Sequence, residues 1–211
     1  TGGSGNDTFT STADGNYSID DVLAGGLGSD TLFLRAEAGA SGAVATTGIE
    51  IIDIRTTAAA YTLDVTNNAG LTTVVHSSPG GGALTINGAA AGVGLEVKNQ
   101  TTTDATNLNF TSGVLVGTAD TVSVALNGNT GAFTLTVNDA TGEIDTLAIT
   151  SATANTAITT LAGDALDATS VTLTNTGAVI LAGAITSATV DASGATGATT
   201  VALGAAVVTY T

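Results

Sequence analysis

The sequence predicts an all-β protein wound as a β-solenoid, a parallel β-roll or β-helix-like stack of short strands. Three observations carry that expectation. Segments dense in Val, Ile, Leu and Thr recur between Gly, Asn and Asp, and their starts often lie roughly 10 to 13 residues apart, close to the spacing of about 8–12 that marks an all-β array. The segments also resemble one another: "LTTVVHSS", "ALTINGA", "VSVALNG", "FTLTVND", "SVTLTNT" and "SATVDAS" are variants of one short strand followed by a polar turn. Finally, hydrophobic residues make up 43% of the chain, yet only three Tyr and four Phe supply rings and Trp and Met are absent. Such a core must be thin and built from small side chains, which suits stacked coils that each cover a neighbour. The spacing alone fits a sandwich equally well; the similarity among segments selects the solenoid.

Taken in order, the expected strands are Thr31–Arg35, Ile49–Arg55, Tyr61–Val65, Leu71–His76, Ala83–Ile86, Leu95–Lys98, Leu108–Phe110, Thr121–Leu126, Phe133–Val137, Thr146–Ile149, Val171–Thr174, Val179–Leu181, Ala188–Val190 and Thr200–Ala202. Thr, roughly a fifth of the chain, fits pleated faces because β-branched side chains pack well there. A flat Thr-x-Thr rank would suggest ice binding, but "TLTV" and "TLTN" recur without fixed register. The only proline, Pro79, sits in "SSPGGG", a strong turn signal. It divides the chain into residues 1–78 and 83–211, unless a single domain runs through 1–211. The start at Thr1, with neither Met nor a signal-like stretch, reads as a fragment. No apolar run approaches the roughly 20 residues of a membrane span.

Eighteen carboxylates against three cations give a formal charge of −15. Arg35, Arg55 and Lys98 are too few and too scattered to track nucleic-acid phosphates, which excludes that partner. Divalent cations remain natural partners. Without Cys there are no disulfides or thiolate metal sites. Catalysis also lacks its usual parts. The sole histidine, His76, lies in "VVHSS" with no G-x-S-x-G elbow, and one His without Cys leaves only carboxylates as further zinc ligands. Carboxylate pairs such as Asp20 with Asp21 and Glu143 with Asp145 read as solvated loops, so no enzyme is expected.

The motif with chemistry in it lies near the start. Residues 2–10, "GGSGNDTFT", match the nonapeptide G-G-x-G-x-D-x-U-x, and residues 25–33, "GGLGSDTLF", match it again. In this motif the glycines turn carbonyl oxygens inward, the Asp adds a carboxylate and the large apolar residue starts a strand. Calcium takes 6–8 oxygen ligands at about 2.3–2.6 Å and is well served by flexible turns of this kind. A pair of Gly-Asp hairpin turns without metal is the competing reading. Full ladders repeat such turns every nine residues, whereas Gly2 and Gly25 lie one 23-residue insertion apart. That insertion carries Asp14, Asn16, Ser18 and Asp20 at alternating positions, so that in an extended strand they share one face. Asp14 and Asp20 are added to the expected shell on that ground, with a solvated polar strand as the competing reading of the alternation. No EF-hand starts at Asp14, because Ile19 stands where that loop needs Gly.

These residues resemble the RTX family of type I-secreted proteins. The order "GSGNDTFTS", "LAGGLGSDTLFL", then "GIEIIDI" ahead of repeated strands is similar to Caulobacter-type S-layer proteins. The resemblance rests on motifs over residues 1–54 and on composition over residues 55–211. On the motif match, it implies calcium roles for Gly3, Gly5, Asp7, Gly26, Gly28 and Asp30, and thus RTX-type calcium-binding turns at the N-terminal end of the solenoid. It further implies export through an ABC-transporter pathway, folding on meeting external calcium, and an extracellular place on the cell surface. The expected function is that of a structural segment that self-assembles into a homo-oligomer or lattice, with surface polysaccharide as a further partner. The alternatives are a calcium-rigidified extender of a large RTX adhesin and, behind it, a β-helix polysaccharide-degrading enzyme.

Overall fold

The computed structural model describes residues 1–11, 21, 23–36, 41–57, 59–77, 81–117, 119–140, 143–155, 158–165, 168–187, 189–205 and 209–211. Among these there are nineteen strands and no helix. The odd-numbered strands are β1 (Thr8–Ser11), β3 (Thr31–Ala36), β5 (Ile51–Thr56), β7 (Thr73–Ser77), β9 (Gly94–Lys98), β11 (Thr121–Asn127), β13 (Thr146–Ser151), β15 (Ser170–Asn175), β17 (Thr189–Asp191) and β19 (Thr209–Tyr210). The even-numbered strands are β2 (Leu23–Ala24), β4 (Ser41–Thr47), β6 (Tyr61–Ala69), β8 (Leu84–Ala89), β10 (Ala105–Phe110), β12 (Phe133–Asn138), β14 (Ile158–Gly163), β16 (Val179–Ile185) and β18 (Thr199–Leu203).

Odd strands form one sheet and even strands the other, each strand pairing in parallel with the strand two places on. One strand from each sheet therefore makes one coil, and the chain is a two-sheet parallel β-solenoid. The sequence expectation of a solenoid is met. Alternation within most strands explains the thin core. In β5, Ile52 and Ile54 are buried between the sheets while Asp53 and Arg55 point out, the period-two pattern of a pleated strand.

The coils then stack like on like. Leu32, Ile52, Val74, Leu95, Val124, Ile149 and Leu173 form one register column, and all are buried. Burying such a side chain stabilises the fold by about 1.5–3 kcal/mol, but no coil can close this core alone; each needs the coil above and below.

Strands β2, β4, β14 and β19 were not expected, and β1 only as the strand that the apolar residue of the first motif starts. "SGAVATT" offers one large apolar residue, Val44, and its strand forms because β6 pairs with it along most of its length. The expected strand at Ala188–Val190 corresponds to β17, with residue 188 outside the described residues. Pro79 is also outside them. On either side of it both sheets continue in register, β6 with β8 and β7 with β9.

One corner is held by a buried amide ladder. Gln100 N–H donates to Asn129 Oδ1 at 3.0 Å, and Asn129 N–H donates to Asn155 Oδ1 at 3.0 Å. The amide groups donate onward to strand-end carbonyls, Asn129 Nδ2 to Val97 O at 2.9 Å and Asn155 Nδ2 to Leu126 O at 2.7 Å. Where the chain leaves a sheet its backbone groups lose ladder partners, and these side chains replace them.

Candidate metal centre

The 23-residue gap between the two glycine-rich turns is one full coil, so the turns lie directly one above the other. Gly2 N–H donates to Ala24 O at 2.8 Å, Leu27 N–H to Gly3 O at 3.0 Å, and Thr31 N–H to Asp7 O at 2.9 Å. Gly26 and Gly28 have φ of 114° and 126°, values that only glycine adopts readily. The stack also leaves no room for side chains: a Cβ at Gly26 would overlap Gly3 O, and one at Gly25 would overlap Gly48 O and Asp30 Oδ2. Gly3, Gly5, Asp7, Gly26, Gly28 and Asp30 are thereby brought together in a two-storey stack. Asp14 and Asp20 lie outside the described residues, as do Asn16 and Ser18.

A column of carboxylates runs along the strand entries. Asp7, Asp30 and Glu50 each precede a strand of the odd sheet, and each successive carboxylate takes a backbone donor from the coil before it. Asp7 N–H donates to Asp30 Oδ1 at 2.7 Å and Asp30 N–H to Glu50 Oε2 at 2.7 Å, while the Asp7 carboxylate closes its own turn by accepting Gly3 N–H at 2.7 Å. Glu50 escaped the sequence reading because "GIE" keeps only one glycine of the motif; only the register places it under Asp30. The arrangement recurs at Asp120, whose N–H donates to Asp145 Oδ2 at 2.9 Å.

The donor set suits a hard cation in kind, being carboxylate and carbonyl oxygen throughout. Asp30 is fully buried, and its Oδ2 has no hydrogen-bond partner. A buried carboxylate oxygen left bare is costly unless a proton donor or a cation faces it. Among the described residues no three Asp, Glu or His side chains converge, so backbone carbonyls would have to supply most of a calcium shell.

Family models, curated proteins and solved structures give no match to this chain.

His76 sits in the interior, facing the core from β7. Its Nε2 lies 2.9 Å from Thr56 Oγ1 and its Nδ1 lies 2.7 Å from Thr106 Oγ1 and 3.2 Å from Gln100 Nε2. Thr56 spends its hydroxyl hydrogen on Gly82 O at 2.9 Å. It must therefore accept from His76, which fixes the neutral tautomer with the proton on Nε2 and Nδ1 accepting. Burial pushes the imidazole down to about 4, against the opposing pull of the Asp104 carboxylate, the Gly82 backbone and the Asp53 carboxylate. Of the two carboxylate pairs weighed as acids and bases, Glu143 is exposed and Asp145 is committed to Asp120 N–H; Asp20 lies outside the described residues.

Proposed function

We propose that this chain is a calcium-dependent structural segment of a secreted bacterial cell-surface protein of the S-layer kind, which self-assembles on the cell exterior and carries no catalytic site. The observation that carries the reading is the pair of glycine-aspartate turns stacked one coil apart around the buried, unpartnered Asp30 Oδ2. Gly3, Gly5, Asp7, Gly26, Gly28 and Asp30 would hold the ion, with Glu50 steadying Asp30 through its backbone. The charge of −15 supports the same reading, because carboxylates that repel one another oppose compaction until a cation is present.

Bound calcium would supply positive charge beside the bare Asp30 Oδ2. The turns exist only when coils one and two are stacked. Binding free energy therefore becomes folding free energy, and the chain would stay unfolded where calcium is scarce. Interior placement of the only histidine among Thr56, Thr106 and Gln100 supports the absence of a catalytic base.

The test is a calcium titration after chelation, followed by far-UV circular dichroism and light scattering together. A cooperative rise in β signal accompanied by assembly is the expected result. The same rise in a protein that stays monomeric would assign the chain to an adhesin extender. A β signal indifferent to calcium would refute both.

A further inference from the structure

The chain has only three cationic side chains, and the fold gathers all three on one line. Arg35 stands opposite Arg55, Arg55 opposite Ser77, and Ser77 opposite Lys98. The column crosses β3, β5, β7 and β9 on the outer face of the odd sheet, with both arginines exposed. Strand neighbours are about 4.8 Å apart, and like charges directly opposite each other weaken a sheet. Lys98 is partly answered within the chain, its Nζ donating to Asp53 Oδ2 at 2.9 Å. Arg35 is engaged within the chain as well.

We propose that the Arg35–Arg55–Lys98 column is the docking surface for a second copy of this chain, which seats carboxylates of its acidic surface on the two arginines. This rests on the self-assembly reading above and names the contact that drives it. Charge arithmetic favours the partner: outside this column every charged side chain of the protein is Asp or Glu, eighteen in all, so a second copy offers the arginines carboxylates such as the exposed Glu143. The neighbouring column speaks against a continuous polyanion. It holds Asp53 and Glu96 beside the cations, and a densely charged polysaccharide lying across the sheet would meet them too. Discrete carboxylates on a protein surface avoid that clash. The contact joins two different faces, so it is heterologous and propagates from copy to copy into a ring or an open array.

The experiment compares the chain with its R35E/R55E and R35K/R55K variants in saturating calcium, by circular dichroism and by sedimentation of assemblies. Wild-type protein should assemble and R35K/R55K should follow it, while R35E/R55E should keep its β signal and lose about ten-fold or more in association. Assembly of R35E/R55E at the wild-type level overturns the proposal while leaving calcium-driven assembly standing. So would polygalacturonate binding that the R35E/R55E change abolishes while assembly persists. A wild-type chain that folds with calcium yet stays monomeric refutes the self-assembly reading itself, and this contact with it.

Discussion

Asp30 and His76 show how differently two buried polar groups behave in the same stack. Asp30→Asn keeps the shape of the side chain and the acceptor for Asp7 N–H but removes the charge beside the bare oxygen. If a cation belongs there, the calcium midpoint for folding should rise about ten-fold or more, read by circular dichroism; an unchanged midpoint would remove Asp30 from the shell. His76 is buried neutral, so its folded value of about 4 lies below the ordinary 6.5. The unfolded chain therefore takes up a proton first as pH falls. Its contribution to stability is complete above about pH 6.5 and is lost between there and about pH 4, a change of about 3 kcal/mol for a shift of this size. Urea midpoints of the calcium-loaded protein should fall through that window, and His76→Gln should flatten the fall. A profile equally steep in the variant would assign the dependence to carboxylates.

At the level of strands and turns, the amide ladder makes a sharper claim than the apolar core. Asn129→Ala strips Gln100 N–H of its acceptor and Val97 O of its donor, and each buried group left unsatisfied costs about 1–3 kcal/mol. Asn107→Ala, on the half-buried outer face where its amide meets Thr85 Oγ1, should cost under about 1 kcal/mol. Equal losses in thermal unfolding would contradict this ranking. Strands such as "TLFLRA" and "FTLTVN" were legible because alternation alone defines their two faces. "SGAVATT" was not, since its partners rather than its own side chains hold it in place. The calcium turns were visible in outline through their glycines and aspartates. The gap between them was harder to interpret: twenty-three residues looked like an insertion that supplies extra ligands, and it is one circuit of the solenoid. Glu50 is the clearest omission, because a single Gly-Ile-Glu step becomes the third rung of the carboxylate column only through register.

Over the molecule as a whole, eighteen carboxylates must be accommodated by three cations, and long-range repulsion opposes the folded state. In chelator, moderate NaCl should stabilise the chain slightly by screening, while calcium should act at far lower concentration; thermal melts in the two series decide it, and equal potency of the two salts would argue against site binding. The parallel, two-sheet stack has a mechanical corollary. Each coil grips only the coils beside it, so tension along the axis loads one interface at a time. Rupture should proceed in a sawtooth, each circuit such as the 23 residues from Asp7 to Asp30 paying out about 75 Å of slack at about 3.3 Å a residue. An optical trap that recorded a single all-or-none extension would show that the coils yield together instead.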